Sequence, residues 1–93
     1  MDVEAIAVAT SHAIGWYLRD VRDDKELSRA KLAQMTNGLI SAKTIQRFEE
    51  GDRSANFTQL SYVLAALEIP LEKFVEDALT KYPPVEQVTP RAE

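Results

Sequence analysis

Lys43, Gln46 and Arg47 stand close together in the run Ser41-Ala42-Lys43-Thr44-Ile45-Gln46-Arg47-Phe48. If that run is helical, Lys43 and Arg47 lie one turn apart on one face, with Ala42 and Gln46 beside them. Ile45 and Phe48 are three apart and share the other face, where they would pin the helix to a core. A guanidinium fork matches the two acceptors on a guanine edge, and a primary amide matches the donor and acceptor of adenine. A small residue such as Ala42 suits the first turn of a helix that enters a groove about 12 Å wide. The chemistry on offer is therefore the reading of base edges. The plain alternative is a solvated face, the usual fate of charges at helical spacing.

Anion-holding groups flank this run. Ser41, Thr44 and the helix N-terminus they start could hold phosphate oxygens. Ser28 and Arg29 stand at the start of the preceding segment, and Arg53 and Ser54 just after the run. Glu50 and Asp52 oppose a phosphate backbone, so they either point away from it or restrict affinity.

Other chemistries find little support. There is no cysteine, so disulfides and thiolate metal sites are excluded. His12 is the single histidine. It has no partner for a metal site and no serine–histidine–acid motif around it. Asp23, Asp24, Glu49 and Glu50 are paired only in sequence, and general acid–base work needs a cleft that a small bundle hardly provides. The expectation is a chain that is not an enzyme and uses no metal or cofactor.

Five helical segments would position these groups. Val3, Ile6, Thr10, Ile14, Leu18 and Val21 recur at steps of three and four, so a long first helix over residues 3–24 is predicted. Gly15 is a weak point in it, worth about 1 kcal/mol against alanine. Trp16 falls on a second stripe with Ala5, Ala9 and His12, nearly opposite Ile14 and Leu18. An exposed apolar stripe suggests an interface. This stripe, or the fifth helix, is the expected contact of a two-fold dimer; a fold that buries both sides of the helix is the alternative. Ser28 starts a short second helix with Leu32 and Ala33 inward, and Asn37-Gly38 stops it. Ser41 caps the third helix, which Gly51 ends. Asn56, with Gln59 three residues on, caps a fourth, with Phe57, Leu60, Leu64 and Leu67 inward. Ile69-Pro70 breaks the chain before a fifth helix that turns Leu71, Phe74, Val75, Ala78 and Leu79 inward.

Composition agrees with this all-helical reading. Ninety-three residues suit one domain, 45% of them are hydrophobic, and only three glycines and four prolines occur. No apolar run approaches the roughly 20 residues a bilayer span needs, and the acidic N-terminus does not resemble a signal peptide. A cytoplasmic chain without membrane contact is expected. Net charge is −4, which disfavours nucleic acid, yet residues 19–53 carry eight bases against seven acids while both flanks are acidic.

The stretch Leu27–Phe74 resembles the helix-turn-helix region of the lambda-repressor-like, XRE-type family. The resemblance rests on Leu27-Ser28, Leu32-Ala33, Ser41-Ala42-Lys43-Thr44-Ile45, Glu49-Glu50-Gly51 and the apolar run Leu60 to Leu67, in that order and spacing. The turn Thr36-Asn37-Gly38-Leu39-Ile40 is about two residues longer than usual and is similar to that of Rgg-type regulators. The resemblance implies a compact five-helix bundle of the lambda-repressor-like DNA-binding type, with a long first helix. It implies an ion pair between Arg22 and Glu49. It also implies a sequence-specific regulator of bacterial or phage origin, most often a repressor, that binds double-stranded DNA as a homodimer. A protein-interaction module on the same fold is the rival, and the acidic balance is its support. The expected domain spans residues 1–82 with its helix-turn-helix core at 28–51, and residues 83–93 form a tail or linker.

Overall fold

The computed structural model describes residues 2–52 and 55–81, except the side chain of Leu79. The chain forms five α-helices: α1 (Val3–Asp24), α2 (Arg29–Met35), α3 (Ala42–Glu50), α4 (Phe57–Ala66) and α5 (Leu71–Lys81). No strand occurs among the described residues. Arg53, Ser54 and the expected tail at 83–93 lie outside them.

Side-chain caps set four of the starts. Asp2, Ser28, Ser41 and Asn56 each accept a hydrogen bond from the backbone N–H three residues on, satisfying a donor that has no partner within the helix. Asn56 and Gln59 complete a reciprocal box: the Gln59 amide N–H donates to the Asn56 side chain at 2.8 Å, and the Asn56 N–H donates to the Gln59 side chain at 3.2 Å. Gly51 ends α3 at φ +77, a left-handed conformation that costs glycine nothing.

The core lies where α1 crosses α3. Leu18, Leu32, Ile45, Val63 and Leu67 are wholly buried, with Tyr17, Ile40, Phe48, Leu60, Leu64, Phe74 and Ala78 around them. Tyr17 and Phe74 meet edge to face at 5.3 Å between ring centres, tying α1 to α5.

Three expected faces differ from the observed ones. On α1, Leu18 is buried and Ile6, Thr10, Ile14 and Val21 are half-buried, but Val3 is exposed. The closed face instead carries Ala9, Ala13, Gly15 and Tyr17. At Gly15 the lack of a side chain lets the α3 backbone come close, which helps to set that face. On α4, Phe57 is 67% exposed, and Val63 takes the inward place. Phe57 is the first helical residue, at the end of the stripe of Leu60, Val63, Leu64 and Leu67. On α5, Phe74 and Ala78 point inward one turn apart, leaving Leu71 and Val75 exposed to one side of that line.

The second stripe of α1 also departs from its expected exposure. Ala9 is only 7% exposed, packed within its own chain. The His12 ring lies over Gly51, where an added Cβ would come within 2.6 Å of it, and stacks at a tilt on Trp16 at 5.6 Å. Of the four stripe residues, Ala9 is thus buried, Ala5 and His12 are half-buried, and Trp16 is 37% exposed.

Candidate nucleic-acid interface

α2 and α3 form a helix-turn-helix whose turn is held by one buried side chain. Thr36 closes α2. Its hydroxyl lies 2.7 Å from the Ala33 carbonyl, to which it donates, and accepts the Ile40 N–H at 3.1 Å. Asn37 and Gly38 take positive φ values of 59° and 77°, which turns the chain between them. Ile40 then drops into the core and Ser41 caps α3.

The back of α3 is closed. Ile45 and Phe48 are each 2% exposed. Gly15 of α1 packs against the end of α3, and an added Cβ there would collide with the Phe48 carbonyl oxygen and meet that of Glu49 at 3.1 Å. Glu49 is buried beneath two guanidiniums. Arg22 reaches it through Nε at 2.7 Å and Nη2 at 3.0 Å, and Arg29 through Nε at 3.0 Å. The third Arg22 nitrogen, Nη1, donates to the Leu27 carbonyl at 2.7 Å and pairs with Asp23 at 3.3 Å. The hydrogen bond to Glu49 pushes the Arg22 guanidinium above its already high ordinary value. No described buried side-chain polar atom lacks a partner.

The front of α3 is open. Lys43, Gln46 and Arg47 are exposed, and Ala42 and Thr44 are half-buried at the helix start. Lys43 and Arg47 enter no ion pair among the described residues. The Gln46 amide donates to Glu50 at 2.9 Å, so Glu50 lies along the same face one turn on. That pairing was readable from the four-residue spacing.

The phosphate candidates are placed unequally. Ser28 and Ser41 are exposed, and each spends its hydroxyl as an acceptor on its own helix cap. The Ser41 hydroxyl also donates to that of Thr44 at 2.9 Å. Arg29 stands at the first position of α2 with its side chain 32% exposed, bound to Glu49 through one nitrogen. Its share in the Glu49 pair had no signal in the sequence, because the two residues are twenty apart.

A short α2, a fixed turn and an α3 with an apolar back and a cationic front together define a helix-turn-helix DNA-binding domain. The Helix-turn-helix family model matches residues 18–74, well over half of the chain, so this protein belongs to that family, of XRE type. The match runs from the last third of α1 into α5; the Rgg-type likeness of the turn is no part of it. No curated protein and no solved structure matches the chain. No helix among the described residues is long and apolar enough to cross a membrane.

Proposed function

We propose that the protein is a sequence-specific transcriptional regulator, a repressor of bacterial or phage origin, which occupies an operator as a homodimer and blocks polymerase. Lys43 and Arg47 carry the reading: two cations with no ion-pair partner among the described residues, on the exposed face of a helix whose other face is sealed into the core. Ala42, Lys43, Gln46 and Arg47 read base edges, and Ser28, Arg29, Ser41, Thr44, Arg53 and Ser54 contact phosphates. In a two-fold dimer the two α3 helices would sit about 34 Å apart, one turn of DNA, on a near-palindromic site.

Selection from a random duplex library tests this, with Lys43→Ala/Arg47→Ala run in parallel. The expected result is an enriched near-palindromic motif that the double variant fails to enrich. No enrichment by the native protein at low salt would overturn the reading.

The net charge of −4 and the Glu50 carboxylate on the front of α3 favour one other reading, a protein-interaction module on the same scaffold. Salt separates the two. Duplex binding weakens steeply as salt rises because neutralised phosphates release counterions.

A further inference from the structure

Leu39 is a turn residue that the reading above leaves unused. It is 59% exposed, and its neighbours hold it so. Its N–H donates to the Thr36 carbonyl at 3.2 Å, the Thr36 hydroxyl takes the N–H of Ile40, and the Ile40 side chain is buried. The outward direction of Leu39 thus comes from a fixed turn rather than from looseness. A single exposed leucine signifies nothing by itself. This one stands two residues before the Ser41 cap, at the end of α3 that enters the groove. A leucine offers nothing to a phosphate. The apolar group that a duplex presents in its major groove is the C5-methyl of thymine.

We propose that Leu39 is a specificity-determining residue that packs on a thymine methyl group beside the base pairs reached by Ala42 and Lys43. The inference rests on the DNA-reading function above and deepens it. Cytosine at that position would leave the leucine over a bare ring edge, so the turn adds a preference that α3 alone does not carry.

The test uses the selected duplex, with each thymine replaced in turn by deoxyuridine, which lacks only the methyl group. Binding is measured for the native protein and for Leu39→Ala. The expected result is one position per half-site where deoxyuridine weakens the native protein about fourfold, the scale of one buried methyl, and leaves Leu39→Ala unchanged. The deoxyuridine series on the native protein needs no variant to fold. Equal sensitivity of both proteins at every thymine would overturn the proposal while leaving the DNA-reading function standing. A Leu39→Ala protein that changes its sedimentation, with thymine sensitivity intact, would assign the side chain to a contact between copies and overturn it too. Failure of the native protein to bind any duplex would remove the parent reading, and this one with it.

Discussion

Arg22 and Glu49, twenty-seven residues apart, meet as a two-point fork, Nε to Oε2 at 2.7 Å and Nη2 to Oε1 at 3.0 Å. The fork joins α1 to the last turn of α3, and Arg29 adds a third bond from α2. One buried carboxylate therefore ties α1, α2 and α3 together. Both Glu49 oxygens are taken up by guanidinium nitrogens from α1 and α2, so the geometry belongs to the fold.

Removing that carboxylate strands two guanidiniums. Glu49→Ala is expected to destabilise the fold by about 3–5 kcal/mol, the cost of breaking a buried pair from one side. Glu49→Gln keeps the shape and loses the charge, so it should fall between the native protein and Glu49→Ala. Urea denaturation measures both. A loss under about 1 kcal/mol for Glu49→Ala would show that the arginines relax into water and that the fork does not hold the helices.

Gly15→Ala sets two effects against each other. Helix propensity favours alanine by about 1 kcal/mol. The new Cβ, however, would strike the Phe48 carbonyl, a backbone atom that cannot rotate away. Overpacking of this kind costs about 1–3 kcal/mol and shifts the neighbouring element. A net loss of stability together with weaker duplex binding is expected. Gain of stability in thermal melts would mean that α1 and α3 separate freely.

Alkaline pH should expose the Tyr17 hydroxyl. Burial first, and then the Asp77 carboxylate, raise it above its ordinary 10.0. The unfolded chain thus releases this proton at lower pH than the folded one. The contribution is complete below pH 10.0 and is lost as pH rises from there through the folded value. Lys73, raised chiefly by its hydrogen bond to Asp77, loses its contribution in the same direction. Tyr17→Phe removes the tyrosine part and a minor part of the Lys73 shift, and keeps the ring against Phe74. Its melting temperature should fall less steeply than that of the native protein above pH 10; parallel curves would contradict this.

Arg47 and Arg29 should fail differently on DNA. Arg47→Ala is expected to cost about 1–3 kcal/mol on the preferred site and to relax preference at one base pair. Arg29→Ala should weaken all duplexes alike and reduce the salt slope by about one. Arg29 also holds Glu49, so circular dichroism first confirms that this variant folds. Titrations at several salt concentrations distinguish the two patterns, and an unchanged base preference in Arg47→Ala would remove it from the reading set.

Much of the scaffold was legible because it is written locally. Ser28, Ser41, Asn56 with Gln59, and Gly51 mark helix ends by bonds that reach no more than a few residues. The exposed positions of Lys43, Gln46 and Arg47 follow from the burial of Ile45 and Phe48 at helical spacing. Phe57, Leu71 and Val75 were misplaced for the converse reason. Each is apolar and near a buried line, and periodicity cannot say how far around the helix the neighbour reaches.

By itself, then, the sequence determined the five helices, their caps and the cationic front of α3, since these depend on side-chain type and on contacts within a turn or two. Only the tertiary structure decided which face of α1 closes, that Gly15 rather than a large residue makes the seam, that His12 covers Gly51, and that Arg29 shares Glu49 with Arg22. Those are meetings of residues twenty or more apart, and they depend on how closely two backbones approach. Spacing along one chain carries no measure of that distance.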